Sequence, residues 1–175
     1  FTPELRAEAR ALVSRYRTGP IYTPPSLEGT VVSPGIIGGG NWGGTAVDPE
    51  TGWLYVKSSN SPALLAIGPA DPERTEGSYD IDRSRRSLRL ESGLPVQSPP
   101  YGTLTAYDLT VGEIAWQVPI GDTPSVRENP ALEGVELPDR LGVSGAPGPI
   151  VTAGGLVFLT GGGDALYAVN ATTGD

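Results

Sequence analysis

The chain has 175 residues and a mass of 18.1 kDa, the size of one ordinary domain or of part of a larger one. Its formal net charge is −8, from 12 basic and 20 acidic residues. Such a chain has no basic stripe for a phosphate backbone, and we exclude nucleic acid as a partner. Cysteine and histidine are absent, which excludes disulfides, thiolate metal sites, covalent c-type haem and a Ser-His-Asp triad.

Methionine is also absent, including at position 1, so we expect a processed or excised piece of a longer product. Glycine (25 residues) and proline (18 residues) are abundant. The apolar residues nevertheless come in short runs, such as 54–56 and 156–159. This composition predicts many short strands joined by Gly/Pro turns, and it excludes coiled coils, collagen and long helical bundles.

One helix is predicted near the start, over residues 3–17. Thr2 can cap it, Pro3 suits the first helical position, and Gly19 with Pro20 can end it. Apolar residues recur at helical spacing, which indicates a surface helix that packs one stripe. Residues 20–40 are rich in proline and glycine and are interpreted as an irregular loop.

A hairpin follows over residues 45–57, with its turn at Asp48-Pro49-Glu50-Thr51-Gly52. The Asp48 side chain can accept hydrogen bonds from the backbone ahead of it, Pro49 favours a type I turn, and Gly52 can adopt positive φ. Further hairpins are predicted over 103–118 and 149–170, separated by a Pro/Gly-rich connection at 119–148.

Residues 59–101 form a long insertion with one apolar run, 64–67, that favours a strand. Its charged residues allow two interpretations, a docking surface or a solvated loop, and the loop is favoured. Asp80 and Asp82 are too few ligands for calcium, so no metal ligand is assigned. The charged residues of this cluster are Asp80, Asp82, Arg83, Arg85, Arg86 and Arg89.

An internal repeat is the strongest signal in the sequence. The string Ala-x-Asp-x-x-x-Gly at 106–112 recurs at 168–174 with Asn in place of Asp, and a related string lies at 46–52. Such spacing is typical of a repeated supersecondary unit, here four short antiparallel strands as in a propeller blade. The longest copy continues to Trp116, whose ring is predicted to fill the space between neighbouring blades.

The string at 106–116 resembles the tryptophan-docking motif of propellers built from pyrroloquinoline quinone (PQQ) repeats. The segments 38–52, 100–108 and 116–124 resemble PQQ-dependent alcohol dehydrogenases and, more closely, membrane-type glucose dehydrogenases. This resemblance covers roughly residues 20–175.

The resemblance implies an all-β fold: a partial β-propeller of two to three four-stranded antiparallel blades from an eight-bladed propeller, with one N-terminal helix. It places the chain in the C-terminal part of such an enzyme. The predicted divisions are 1–42, a helix and connecting loop; 43–118, a blade with the insertion 59–101; 119–148, a connection; and 149–175, an incomplete blade.

The resemblance also implies a function. Family members bind PQQ and calcium, oxidise a sugar or alcohol hydroxyl by hydride transfer to the quinone, and pass electrons to ubiquinone or a cytochrome. A periplasmic location is the family expectation. The catalytic aspartate, the lysine or arginine that contacts the cofactor and the calcium ligands are expected upstream, so no catalytic or metal-binding residue is assigned here.

Asn41 and Trp42 match the Asn-Trp pair that lies beside the cofactor in this family. The Asn41 amide can bond quinone or carboxylate oxygens, and the glycines around it let the backbone approach closely. The alternative is structural, with Trp42 filling the inner end of a blade and Asn41 capping a turn. From the residues alone the structural role is favoured, whereas the resemblance favours cofactor contact.

The alternative function is a non-catalytic PQQ-repeat scaffold, similar to the lipoprotein propeller that helps assemble outer-membrane proteins. Under either hypothesis we expect the isolated chain to show no turnover. Remaining propeller blades, or other copies of the chain, are expected to pair with its open sheet edges.

Overall fold

The computed structural model describes residues 1–82, 88–161 and 164–175. Arg83, Arg85 and Arg86 of the charged cluster lie outside these ranges. The regular secondary structure of the described residues is mostly strand in antiparallel sheets, with one N-terminal helix, as predicted. Its elements are α1 (Pro3–Val13), β1 (Thr30–Val32), β2 (Thr45–Asp48), β3 (Trp53–Ser59), β4 (Ala63–Leu65), β5 (Ile67–Pro69), β6 (Tyr79–Ile81), β7 (Gly102–Asp108), β8 (Glu113–Pro119), α2 (Pro124–Arg127), a 3-10 turn (Pro130–Leu132), β9 (Ile150–Val151), β10 (Leu156–Thr160) and β11 (Leu166–Asn170).

The chain divides into two compact units. Unit 1 consists of Phe1–Ile36, Ser61–Gln97 and Asn129–Val135. Unit 2 consists of Ile37–Asn60, Ser98–Glu128 and Glu136–Asp175.

In unit 1 the helix is shorter than predicted. The cap is confirmed, because the Leu5 N–H donates to Thr2 Oγ1 over 3.3 Å. The helix ends at Val13 rather than near residue 17. The backbone of Arg17 is drawn into other pairing, since its N–H donates to Gly29 O and its carbonyl accepts from Val31 N. Those bonds replace the helical ones that the backbone of Arg17 would have made.

The strands of unit 1 correct the prediction for the apolar run 64–67. The run forms two short strands rather than one: β4 pairs with β1, and β5 pairs with β6. The break falls at Ala66, which is fully buried and bridges to Ser26. Strand β6 was not predicted, because all three of its residues are exposed and carry no alternating apolar signal.

Unit 2 contains a four-stranded antiparallel sheet, the first sheet, in the order β2-β3-β7-β8. Both hairpins predicted for these residues are confirmed. Along β3 the side chains alternate, so Tyr55, Lys57 and Ser59 are buried on one face. A second, three-stranded sheet has the order β11-β10-β9 and confirms the strands predicted over 149–170.

The three repeat turns have the same structure. In each, a side-chain oxygen of the Asp or Asn accepts a backbone N–H two residues ahead, over 2.8–2.9 Å. Four residues on, the glycine adopts positive φ and donates its N–H to the carbonyl of the same Asp or Asn. The acceptors are Asp48, Asp108 and Asn170, and the glycines are Gly52, Gly112 and Gly174.

Trp116 joins the first sheet to the last of these turns. Its indole N–H donates to Ala171 O over 3.1 Å, and the Tyr55 hydroxyl donates to the same carbonyl over 3.2 Å. A Cβ on Gly174 would lie 2.9 Å from the Trp116 ring, so glycine is needed there. Trp116 is half-buried and lies between the two sheets, as predicted.

The core of unit 2 surrounds this contact. Of the three repeat alanines, Ala46 and Ala106 are buried, whereas Ala168 is exposed. The buried members of the core are Ala46, Tyr55, Leu104, Ala106, Ile120, Val157, Leu159, Val169 and Ala171.

Candidate functional site

The segment Asn41–Trp42 forms a tight turn just before β2. The Asn41 side chain stabilises this turn, since its amide donates to Ile37 O and its Oδ1 accepts from Trp42 N. The Gly44 N–H donates to Asn41 O over 2.9 Å. Asn41 therefore does cap a turn, which is one of the two roles considered for it.

The Trp42 side chain is 97 % exposed. Within the described residues it does not fill the inner end of a sheet. Large aromatic side chains are seldom exposed to this extent, and a fully exposed indole is available for contact with a planar ligand.

Gly43 brings the backbone of this turn against residues 146–148. A Cβ on Gly43 would lie 2.2 Å from Ala146 O and 2.6 Å from Gly148 N, and a Cβ on Gly148 would lie 2.0 Å from Gly43 O. Neither position has room for a side chain. The two stretches of backbone therefore support each other directly.

The segment 143–148 is in turn held by Lys57, which the sequence analysis did not single out. Lys57 is 2 % exposed, and its Nζ donates to Val143 O over 2.8 Å, to Gly145 O over 3.3 Å and to Ser58 O over 3.2 Å. Two signals pointed to it: it is the chain's only lysine, and the strand alternation places it on the same face as Tyr55.

Ser59 completes this contact. Its hydroxyl donates to Gly145 O over 3.0 Å and accepts from Gly145 N over 2.8 Å. Gly145 is thus bonded on both its donor and its acceptor. We call Lys57 and Ser59 together the carbonyl clamp.

The positive charge of the clamp, on the Lys57 ammonium group, is surrounded by backbone carbonyl oxygens that accept its hydrogen bonds. Burial lowers the pKa of Lys57 from 10.5 to about 8, because the charged ammonium loses its hydration. The carbonyl dipoles replace part of that hydration. The lysine is therefore fully engaged in holding the backbone and does not face solvent.

A second anchor lies upstream in the same connection. Arg127 Nε donates to Asp122 Oδ2 over 2.6 Å, and Arg127 Nη2 donates to the carbonyls of Pro138 and Asp139. Hydrogen bonding to Arg127 lowers the pKa of Asp122. The segment 119–148, predicted as a Pro/Gly-rich connection, is thus held by side-chain hydrogen bonds at two places.

These residues can bind and orient a ligand, and the arrangement includes no acid–base pair aimed at a common point. Trp42 offers an exposed ring face, while both polar ends of the Asn41 side chain already have partners in the turn. Within residues 1–82, 88–161 and 164–175, no group of three or more Asp, Glu, His or Cys side chains could hold a metal ion.

Residues 1–175 match the family described as the glucose/ethanol/alcohol dehydrogenase beta-propeller domain, the PQQ family. The chain belongs to this family. The match includes the N-terminal helix, so it extends beyond residues 20–175, which carry the resemblance. The two sheets of unit 2 are antiparallel sheets of this propeller type, and the described propeller is partial and unclosed.

Individual relatives agree with this assignment. The chain is 32 % identical to a protein named probable quinate dehydrogenase (quinone) from Xanthomonas campestris pv. juglandis, over 88 % of this chain and 22 % of that protein. It is 31 % identical to quinoprotein glucose dehydrogenase A from Acinetobacter calcoaceticus, over 88 % of this chain and 21 % of that protein. The chain thus spans about a fifth of the length of these relatives.

Among solved structures, the chain is similar to the quinohemoprotein alcohol dehydrogenase of Comamonas testosteroni. The TM-score is 0.49 at 24 % identity, covering 84 % of this chain and 19 % of that one.

Proposed function

We propose that this chain is part of a PQQ-dependent dehydrogenase that oxidises a hydroxyl group of a sugar or an alcohol. Membership of the PQQ family over the whole chain supports this proposal, and so do relatives named as glucose and quinate dehydrogenases. The proposal includes ubiquinone or a cytochrome as electron acceptor, calcium beside the cofactor, and a periplasmic location.

No described helix has the length and apolar character needed to cross a membrane.

The role proposed for this chain's own residues is to orient the cofactor. PQQ, when bound, supplies the quinone that accepts the hydride. Trp42 would present its exposed indole to the cofactor ring, and Asn41 would hold the turn that presents it. The observation that carries this role is the 97 % exposure of an aromatic side chain whose backbone is rigidly held. The chain alone would then show no turnover.

The activity is tested in the full-length protein that contains this chain. After reconstitution with PQQ and calcium, dye reduction is measured with glucose, quinate, glycerol and simple alcohols, since the relatives' names include both sugars and cyclic polyols. We expect turnover with at least one of them. No dye reduction with any hydroxylated substrate, in a protein shown to be folded, would contradict the dehydrogenase and favour a scaffold.

The cofactor contact is tested with Trp42→Ala. Loss of ring stacking should weaken PQQ binding to the full-length protein by about tenfold, as measured by calorimetric titration in the presence of calcium. Thermal unfolding should not change, because the side chain packs against little. Tyr22→Ala is the matched control, since Tyr22 is an aromatic residue that is 92 % exposed.

Trp42→Phe tests whether a smaller aromatic ring is sufficient for the contact. It keeps a ring and should recover most of the lost affinity. Equal PQQ affinity in Trp42→Ala and the wild type would remove Trp42 from the cofactor site.

A further inference from the structure

We infer that the carbonyl clamp, Lys57 with Ser59, is a positioning device for the turn that carries Asn41 and Trp42. It acts through the backbone segment 143–148, which lies between the clamp and the turn. The effect of the clamp on PQQ binding rests on the proposed function. Its effect on the structure of the turn, through residues 143–148, does not.

The first step is that the clamp bonds directly to the backbone of residues 143–145. Lys57 and Ser59 are 2 % and 3 % exposed and project from one face of β3, a central strand of the first sheet. Together they donate to Val143 O and Gly145 O and accept from Gly145 N. Residues 143–145 belong to no helix or strand, and these bonds hold the segment in place of a sheet ladder. Two further bonds help, since Val143 N–H donates to Ile120 O over 2.9 Å and Ser144 Oγ donates to Tyr101 O over 3.3 Å.

The second step is that backbone atoms pack closely against the Lys57 ammonium group. A Cβ on Gly102 would lie 2.6 Å from Lys57 Nζ and 2.0 Å from Val143 O. The backbone of β7 therefore closes one side of the clamp. A shorter or neutral side chain at position 57 would leave buried carbonyls without a donor, which favours rearrangement of the segment.

The third step is that the segment 143–148 supports the turn that contains Asn41, Trp42 and Gly43. Ala146 O and Gly148 N lie so close to Gly43 that no Cβ fits between the two stretches of backbone. A shift of 143–148 therefore removes the support behind Gly43. Asn41 and Trp42 precede Gly43 directly, and the orientation of the exposed indole depends on this turn.

The test is hydrogen exchange on the 175-residue chain, read by mass spectrometry for peptides that cover 41–44, 143–148 and 166–170. Lys57→Met keeps the length of the side chain and removes its donors. We expect exchange in 143–148 and in 41–44 to become about tenfold faster, while 166–170 is unchanged. Ser59→Ala is the milder variant and should affect the same two segments to a smaller extent.

Arg10→Met is the matched control, because it removes an exposed cation from α1 in unit 1. It should leave both segments unchanged. Faster exchange in 143–148 with no change in 41–44, for both clamp variants, would overturn the inference. Unchanged exchange in both segments would overturn it as well. If Lys57→Met does not fold, the result for Ser59→Ala decides.

PQQ titration of the full-length protein separates this inference from the proposed function. If the wild type binds PQQ, Lys57→Met should bind it about tenfold more weakly, and Ser59→Ala should show a smaller loss of affinity. If the wild type does not bind PQQ, the cofactor role of Trp42 fails, and the exchange experiment still tests the clamp. Unaltered PQQ affinity in Lys57→Met would contradict the functional part of the inference.

Discussion

Lys57 illustrates how a single side chain can be charged, buried and still useful. Its ammonium group has lost most of its water, and main-chain carbonyls take the place of that water. Burial lowers its pKa to about 8, close to neutral pH. Protonation of this residue is therefore coupled to folding.

The pH dependence of stability follows from that coupling. Between pH 8 and 10.5 the unfolded lysine holds more protons than the folded one, so the free energy of unfolding should rise with pH in this interval. From pH 7.5 to 9.5 the lysine should contribute a rise of about 2 kcal/mol. Urea unfolding at the two pH values measures it.

Lys57→Met is the reference for this experiment, because every other titrating group is the same in both proteins. In Lys57→Met, the free energy of unfolding should lack the rise that the lysine contributes between about pH 7.5 and 9.5. The prediction is contradicted if the unfolding free energies of wild type and variant change in parallel with pH.

At the scale of elements, one turn provides a polar contact between the two sheets of unit 2. Trp116 and Tyr55 both donate to Ala171 O, and their rings lie 5.9 Å apart. Two donors on one carbonyl fix the distance between the sheets more sharply than ring packing alone. The glycine at 174 leaves the space that the indole occupies.

Substitutions at Trp116 should separate these contributions. Trp116→Phe loses the indole N–H and should lower the free energy of unfolding by about 1 kcal/mol. Trp116→Ala also loses the packing and should cost about 3 kcal/mol. Both values come from urea unfolding, with the exposed Trp42→Ala as a control that should stay within about 0.5 kcal/mol of wild type. A Trp116→Ala variant as stable as Trp42→Ala would contradict this account of the sheet contact.

At the scale of the whole molecule, both sheets of unit 2 end in strands with one neighbour each within the described residues. These edge strands are β2, β8, β9 and β11, of which β8 and β11 carry the exposed Ile114 (56 %) and Leu166 (69 %). Edge strands with exposed apolar residues favour pairing with another chain.

Self-association of the 175-residue chain is the expected outcome. Light scattering should show a mass that increases with protein concentration, and a charge in an edge strand, as in Leu166→Lys, should reduce it. Val111→Lys is the control, since Val111 is 66 % exposed and lies in a turn between β7 and β8. A strictly monomeric wild type at high concentration would contradict the prediction.

Several features could be predicted from the sequence because they depend on short-range interactions. The Thr2 cap and the turn at Asp48 involve bonds that span two to four residues, so the residues that make them are adjacent in the printed sequence. The predicted end of the helix, near residue 17, was wrong because it depends on a longer-range interaction: Arg17 pairs with a strand farther along the chain. The blade boundaries and the cofactor role of Asn41 and Trp42 remain predictions.

The sequence by itself determined the hairpins, the repeated turns and, through them, the family, since each of these is written in neighbouring residues and their period. Only the tertiary structure decided that Trp42 is exposed and that Lys57 meets carbonyls 86 and 88 residues away. Alternation along β3 could place Lys57 on a buried face. It could not show what covers that face, because burial depends on the path of the intervening chain and carbonyl groups are the same in every residue.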